Sequence, residues 1–246
     1  MAGSAITFDF HNTLAVCDRW FHLEIRELAS AFMVWNANRQ GQEADAALQA
    51  EADLAYRQLR EEIIDHGVEL PAEACVAHVL DKFNVSVEPR LLAEGVEEIM
   101  REAFSEVTPV AGAIDTVRQL ATHDIPIGII SSAVYHPFLE WTLAQFDLRS
   151  SIVNVTTSAS AGFYKSRPEL FWHAVAALNA VPEQSVHIGD SKRFDVAGAQ
   201  RAGMKTVWLE TPARRGMEYD ATPNLTVTTL EGAAPEILAL LRQPAR

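Results

Sequence analysis

The 246-residue sequence has few cysteines, few basic residues and no long apolar run, and each scarcity argues against a class of protein. Cys17 and Cys75 are too few for a disulfide framework, which favours a reducing compartment. The 20 Lys and Arg are outnumbered by 33 Asp and Glu, for a formal net charge of −13. This excess disfavours a general nucleic-acid binder and a protein held to anionic membranes by charge. No apolar run approaches the roughly 20 residues that span a bilayer.

The composition is that of a folded protein, with 48% hydrophobic and 22% charged residues. The first residues show no basic stretch followed by an apolar one, the pattern of a secretory signal. We therefore expect a cytoplasmic protein with neither nucleic-acid nor membrane partners. No pattern in the sequence indicates an oligomeric state.

Hydrophobic periodicity divides the chain into two kinds of region. Residues 5–10 form an apolar run typical of a strand, and almost a hundred residues of helical character follow without a convincing strand. From Pro109 onward, apolar strands alternate with helices, which indicates a parallel sheet covered on both faces. The sequence predicts an α/β protein, with a doubly wound parallel sheet in residues 1–15 and 109–246 and a helical insertion over residues 16–108.

The predicted elements follow from apolar spacing together with proline and glycine signals. The predicted strands cover residues 5–10, 125–130, 152–156, 185–188, 206–209 and 225–227. The predicted helices cover residues 19–39, 43–65, 71–79, 89–104, 112–123, 137–146, 194–202 and 230–241, with one more that starts at Pro168.

Polar residues gather where the predicted strands end. Asp9 lies at the end of the first strand, Ser131 follows the second and Asp190 the fourth. The segment after the third strand leads to Lys165, and Asp195 comes shortly after Asp190. Ligands of doubly wound sheets bind at this edge. Facing carboxylates need a cation between them, and Mg²⁺ prefers oxygen ligands. A lysine and a hydroxyl can hold phosphoryl oxygens, and the other carboxylate can attack phosphorus.

Four segments, in this order, resemble the motifs of the haloacid dehalogenase-like hydrolase superfamily. They are FDFHNTL (residues 8–14), IISS (129–132), GFYKSRPELF (162–171) and HIGDS (187–191), the last followed by Asp195. The resemblance covers the whole chain. It implies a catalytic core of residues 1–15 and 109–246, and a helical cap domain of residues 16–108 inserted after the first motif.

The resemblance also implies roles for the residues that match the motifs. Asp9 would be the nucleophile, and Ser131 and Lys165 would orient the phosphoryl group and balance its charge. Ser132 would also contact the substrate. Asp195 would support Lys165 or a water bound to the metal.

A magnesium site is implied by the same resemblance. Its ligands would be the carboxylates of Asp9 and Asp190, together with the backbone carbonyl of His11. That last contact does not depend on the side chain at position 11.

The side chain at position 11 departs from the family pattern. Phosphatases of this family normally have a second Asp there, which acts as general acid and base, whereas this chain has His11. A histidine, with an unperturbed pKa of about 6.5, can carry the same protons. We expect His11 to protonate the leaving group, and the alternative is that only its backbone serves the site.

Three alternative functions stay open. Dehalogenases of the superfamily usually have an aromatic residue at position 11 and need no metal, which a second acid at Asp190 disfavours. Phosphonoacetaldehyde hydrolases use a cap lysine, but Lys82 is the only lysine between residues 16 and 108 and nothing nearby suggests that it is desolvated. The third alternative is a binding protein that kept the fold and lost the chemistry.

The sequence therefore predicts a Mg²⁺-dependent hydrolase of a small phosphomonoester that acts through an aspartyl-phosphate on Asp9. Its expected partner is a small phosphorylated metabolite. Specificity would come from the helical cap, where no motif indicates which metabolite this is.

Overall fold

The computed structural model describes residues 3–211 and 219–244. The strands are β1 (Ile6–Phe8), β2 (Ala15–Val16), β3 (Thr108–Pro109), β4 (Ile127–Ser131), β5 (Asn154–Thr157), β6 (Val186–Gly189), β7 (Lys205–Leu209) and β8 (Leu225–Val227). The helices are α1 (Asp18–His22), α2 (Leu28–Arg39), α3 (Ala46–His66), α4 (Ala72–Lys82), α5 (Pro89–Phe104), α6 (Ala113–Ala121), α7 (His136–Gln145), α8 (Ser158–Ala161), α9 (Pro168–Ala177), α10 (Ala197–Arg201) and α11 (Ala234–Leu241). Within these residues, no helix combines the length and the apolar character that crossing a membrane requires.

Among the described residues, six strands form one parallel sheet in the order β5–β4–β1–β6–β7–β8. Phe8 of β1 pairs with Ile129 on one side and with Ile188 on the other. Strands β4 and β5 lie on one side of β1, and the later strands β6, β7 and β8 lie on the other. The order in which strands are added to the sheet therefore reverses beside β1. This reversal is where doubly wound sheets bind ligands. The predicted fold class is confirmed.

The central strands β1, β4 and β6 are buried throughout because both faces of the sheet are covered. Neighbouring residues on β4 show this, since Ile129 and Ile130 pack into two different apolar clusters. Helices α9 and α10 contribute to the cluster of Ile130, whereas α6 and α11 contribute to the cluster of Ile129.

Helices α1–α5 lie between β2 and β3, two short strands that pair antiparallel. Ala15 faces Pro109 and Val16 faces Thr108. The expectation of no strand from residue 16 to 107 was wrong for Val16, because a two-residue strand is too short to produce a periodic pattern. We call the residues from Cys17 to Val107 the helical segment. Its role as a separate cap domain, with the predicted bounds, stays a prediction.

Two predicted helices contain a wider π-type turn. The turn Leu23–Glu27 separates α1 from α2, and the turn Lys192–Val196 precedes α10. Each turn carries a buried acid, Glu24 in the first and Asp195 in the second. Turns of this kind are rare and frequently occur at functional sites.

The helical segment is joined to the carboxyl edge of the sheet by packing and by main-chain hydrogen bonds. Trp20 of α1 stacks on Phe138 of α7 with ring centroids 4.9 Å apart. Val68 and Phe163 form an antiparallel bridge. On either side of it, the Glu69 N–H donates to the Gly162 carbonyl and the Tyr164 N–H to the Gly67 carbonyl, each at 3.0 Å. We call this contact the main-chain bridge.

Candidate active site

The polar residues at the strand ends converge on one cavity of about 660 Å³. Asp9 follows β1, Ser131 ends β4 and Asp190 follows β6, and these strands are neighbours in the sheet. The predicted site residues that line the cavity are Asp9, His11, Ser131, Ser132, Lys165, Asp190 and Asp195. All of them are buried except His11 and Ser132, which are half-buried. The structure thus brings the predicted set together, while their individual roles stay predictions.

Lys165 lies between two carboxylates. Its ammonium donates to Oδ1 of Asp9 and, at 2.6 Å, to Oδ1 of Asp195. Burial disfavours the ammonium, but the charges of Asp195 and Asp9 outweigh that cost and raise the pKa of Lys165 above its ordinary value. Lys165 is therefore a fixed positive charge beside Asp9.

Asp195 is held by two further groups. The Ser191 N–H donates to its Oδ2 at 2.8 Å, and His187 Nε2 lies 3.3 Å from its Oδ1. Because a carboxylate only accepts, Nε2 carries the His187 proton and Nδ1 accepts from the Thr7 hydroxyl at 3.0 Å. Burial opposes ionisation, yet Lys165 and the His187 hydrogen bond hold the pKa of Asp195 well below its usual range.

The absence of a side chain at Gly189 leaves room for the Asp195 carboxylate. A Cβ at position 189 would lie 2.2 Å from the Asp195 Cγ, a distance that non-bonded atoms do not reach. The glycine before Asp190 is therefore required by the close approach of the Asp195 carboxylate. Asp190 itself is fixed through its carbonyl, which accepts from the Trp208 indole at 2.9 Å.

Asp9 is oriented by the tight turn that follows β1. Its backbone N–H donates to the Ile188 carbonyl at 2.7 Å, and the Thr13 hydroxyl donates to its Oδ2 at 3.2 Å. Asn12 takes a left-handed conformation with φ of 61° and so returns the chain toward β2. Burial, with the nearby Asp195, raises the pKa of Asp9 to about 7 despite the opposing charge of Lys165.

Three of these acids form a candidate metal site. One carboxylate oxygen each from Asp9, Asp190 and Asp195 lies within 4.8 Å of the others, and all three residues are buried. Hard oxygen donors of this kind suit Mg²⁺. The residues present fit the metal that the sequence predicted.

The His11 imidazole lies between this acid cluster and the helical segment. It stacks on Phe21, with centroids 4.6 Å apart and planes 10° apart, and it meets the Trp20 ring edge-on at 5.5 Å. All three residues line the cavity. The ring is therefore held by α1, next to the turn that carries Asp9.

Sequence reasoning missed two buried ionisable side chains in the cavity wall. The Glu24 carboxylate accepts from the backbone N–H groups of Val134 and Tyr135 at 2.8 and 3.3 Å. Arg60 on α3 pairs with Glu69 through hydrogen bonds of 2.6 and 3.0 Å. Arg60 had a detectable signal, because it falls on the apolar stripe of α3. Glu24 had none, since its partners are backbone groups more than a hundred residues away.

Comparisons with known proteins place the chain in a family. A sequence model of the haloacid dehalogenase-like hydrolases matches residues 38–209. The chain belongs to this family, as the four motifs indicated.

Two curated relatives are phosphatases. The chain is 27% identical over 241 residues to a glyceraldehyde 3-phosphate phosphatase of Pyrococcus furiosus, covering 97% of this chain and 92% of the relative. A glyceraldehyde 3-phosphate phosphatase of Methanopyrus kandleri is 29% identical over 189 residues, which cover 76% of this chain and 78% of the relative.

Solved structures with the same fold include both phosphatases and dehalogenases. A 2-haloacid dehalogenase from Pseudomonas syringae superposes with a TM-score of 0.69 and 21% identity, covering 98% of this chain and 99% of the other. A phosphatase of the family from Thermococcus onnurineus has a TM-score of 0.61 and 19% identity, covering 99% and 100%. At these identities the likeness shows the fold alone.

Proposed function

We propose that the protein hydrolyses a small phosphomonoester through an aspartyl-phosphate on Asp9, with Mg²⁺ as cofactor. The observation that carries the proposal is the crowding of the Asp9, Asp190 and Asp195 carboxylates within 4.8 Å of one another, with the Lys165 ammonium bonded to Asp9 and Asp195. Three buried carboxylates and one lysine need a further cation for all three acids to ionise. The relatives named glyceraldehyde 3-phosphate phosphatases support a phosphate ester as substrate.

In the first step an oxygen of Asp9 attacks phosphorus, and the bond from phosphorus to the leaving oxygen breaks. Lys165 and the Ser131 hydroxyl hold the phosphoryl oxygens as charge shifts onto the leaving group. His11 gives its proton to that oxygen, so the product leaves as a neutral alcohol.

In the second step a water attacks phosphorus and breaks its bond to Asp9, which regains its carboxylate. His11 takes the proton of this water and returns to its starting state. Asp195 keeps Lys165 in place throughout, because it bonds the ammonium at 2.6 Å and is itself held by Ser191 and His187.

Asp9, Asp190 and the backbone carbonyl of His11 would hold the Mg²⁺. The ion would supply positive charge that lowers the repulsion between Asp9 and the phosphate. Ser132, at the end of β4, would contact the phosphoryl group beside Ser131.

The helical segment would act as the cap that closes the site. Trp20, Phe21 and Glu24 reach the same cavity as Asp9, so the helical segment supplies the wall opposite the acids. Closure of such a wall excludes water during the first step. We place the cap boundaries at residues 16 and 108, next to the paired strands β2 and β3.

The compartment we propose is the cytoplasm, and the partner is a small phosphorylated metabolite. Cys17 and Cys75 are both buried free thiols, which supports a reducing environment.

The test is turnover of p-nitrophenyl phosphate with added Mg²⁺ and, separately, with excess EDTA. We expect phosphate release with Mg²⁺, its loss in EDTA and its recovery when Mg²⁺ is restored. Acid-quenched protein should carry a phosphoryl group on the peptide that contains Asp9, and Asp9→Asn should show neither turnover nor label. Activity that persists in EDTA would falsify the magnesium site, and halide release from a 2-haloacid without metal would favour a dehalogenase.

A further inference from the structure

The active-site cavity has two chemically different ends. The acids, Lys165 and the strand-end serines form the end that would receive the phosphoryl group. The opposite wall comes from the helical segment and from the turn after β6. Its large apolar side chains are Trp20, Phe21, Ile25, Ile64 and Phe194.

Protein groups engage both buried ionisable side chains on this wall. Arg60 is 3% exposed at its side chain, and its two terminal nitrogens donate to Glu69, whose side chain is fully buried. Among the described residues, Arg60 Nε and the Trp20 indole N–H have no partner, but both atoms are closed off from solvent. Glu24 is engaged by the backbone N–H groups of Val134 and Tyr135. A leaving group that enters this end therefore meets apolar surface and polar atoms that are either bonded to protein groups or closed off from solvent.

The polar residues on the helical side lie toward solvent. Arg26, Arg57 and Glu61 line the cavity but are exposed, so they belong to its mouth. The hydroxyl groups of a short sugar-like leaving group would face the apolar wall between the mouth and the acids. A buried hydroxyl without a partner costs about 1–3 kcal/mol.

The size of the cavity leads to the same class of substrate. Its volume of about 660 Å³ lies within the range of roughly 300–1,000 Å³ that is typical of pockets for drug-sized ligands. A three-carbon leaving group would leave most of the apolar wall uncovered.

We infer that the preferred substrate is a phosphomonoester whose leaving group carries a bulky apolar part, well beyond three carbons, that packs on the wall of the helical segment. This rests on the proposed function, and it assigns the substrate class of the same site. Phe21, Ile25 and Ile64 are then specificity-determining residues.

The test compares esters whose leaving alcohols are chemically similar. Ethyl phosphate, glycerol 3-phosphate and 2-phenylethyl phosphate are all alkyl esters, so differences in kcat/KM report on binding of the leaving group more than on bond strength. We expect 2-phenylethyl phosphate to exceed ethyl phosphate by at least about tenfold, as burial in a hydrophobic pocket allows. Glycerol 3-phosphate should be no better than ethyl phosphate.

A matched pair of variants on α3 locates the effect. Ile64 lines the cavity, whereas Leu54 on the same helix is 53% exposed and does not. Ile64→Ala should lower kcat/KM for 2-phenylethyl phosphate several-fold more than for ethyl phosphate. Leu54→Ala should leave both unchanged.

The outcomes separate the two proposals. Turnover of all three esters with equal kcat/KM, or with glycerol 3-phosphate preferred, overturns the inference and leaves the phosphatase proposal standing. No turnover of any ester overturns the phosphatase proposal and the inference with it. The comparison of esters uses the unmodified protein, so it tests the inferred substrate preference even where a variant fails to fold.

Discussion

The imidazole of His11 lies parallel to the phenyl ring of Phe21, 4.6 Å between centroids. The two residues come from different parts of the site, since His11 belongs to the turn after β1 and Phe21 to the first helix of the helical segment. The proposed proton donor therefore depends on the helical segment for its orientation. When that segment is in place, the ring lies beside the cavity that the leaving group would enter.

The proton transfer by His11 can be tested with two esters. Protonation of the leaving oxygen matters for an alkyl phosphate, because an alkoxide is a poor leaving group, but little for p-nitrophenyl phosphate, whose phenolate leaves unaided. His11→Ala should lower kcat/KM, which reports on formation of the aspartyl-phosphate, by roughly 10²–10⁴-fold for an alkyl phosphate and far less for p-nitrophenyl phosphate. His22→Ala, which removes an exposed histidine of α1 outside the cavity lining, is the control and should change neither value. Equal losses for both esters would contradict protonation of the leaving group by His11, and unchanged values would reduce His11 to a backbone ligand.

Replacement of Gly189 should disturb the site through Asp195. The Cβ of Gly189→Ala would lie 2.2 Å from the Asp195 Cγ, so the carboxylate must move away from Lys165. Overpacking of this kind costs about 1–3 kcal/mol, and kcat should fall together with the free energy of unfolding. Urea denaturation and turnover measure the two effects. Gly3→Ala is the control, because its Cβ would lie 3.8 Å from the nearest atom, the Asn179 carbonyl oxygen, and the change should stay within about 0.5 kcal/mol.

The stability of the protein should depend on pH through Glu24. Burial raises its pKa from 4.5 to about 8, against the opposing effects of the Val134 N–H and Arg60. The native state then binds more protons than the unfolded state between these values, so this contribution is full below about pH 4.5 and is lost as the pH rises through 8. Glutamine does not ionise, so the stability of the Glu24→Gln variant should lack this dependence on pH.

Urea unfolding at about pH 5 and about pH 8.5, with EDTA in both, measures the Glu24 effect. The free energy of unfolding of the unmodified protein minus that of Glu24→Gln should fall as the pH rises. Glu62→Gln, on the exposed side of α3, should shift stability by the same small amount at both pH values. If the difference in free energy of unfolding between the unmodified protein and Glu24→Gln does not change with pH, the raised pKa of Glu24 is contradicted.

The buried pair of Arg60 and Glu69 should contribute more to stability than an exposed pair in the same helical segment. Glu69 also accepts from the Ser158 hydroxyl at 2.8 Å, so Glu69→Ala leaves Arg60 buried without its charge partner. The expected cost is about 3–5 kcal/mol.

The exposed pair of Arg39 and Glu94, at 2.8 Å with side chains 50% and 41% exposed, supplies the comparison. Glu94→Ala should cost no more than about 1 kcal/mol. Urea denaturation of both variants measures the contrast. Similar losses in the two would show that Arg60 finds another partner when Glu69 is removed.

The sheet and the strand-end residues were predictable because each depends on a local pattern. An apolar run that ends in Asp9 or Ser131 is visible in a few residues, and the carboxyl ends of parallel strands must meet at one edge. Lys165 is different, since it follows a loop and was located by its resemblance to a family motif. The helices were predicted to within a few residues, except the four-residue helix α8, and the π-type turns inside two of them were not predicted.

The rest of the site depends on partners that are distant in the sequence. Glu24 sits among residues typical of an amphipathic helix, and only the folded chain brings the Val134 and Tyr135 N–H groups to it. The role of Gly189 involves a residue only six positions away, Asp195, but it depends on the π-type turn that carries Asp195, which periodicity does not indicate. Patterns of periodicity carry no information about such contacts.

The main-chain bridge between Val68 and Phe163 has a consequence for the order of events in turnover. Phe163 lies two residues before Lys165, so the strand-like contact fastens the helical segment to the loop that carries the ammonium. A motion that lifts the segment to admit an ester must first break the hydrogen bonds of Glu69 and Tyr164. The rate at which the amide hydrogens of Glu69 and Tyr164 exchange with deuterated solvent should therefore report how often the site opens.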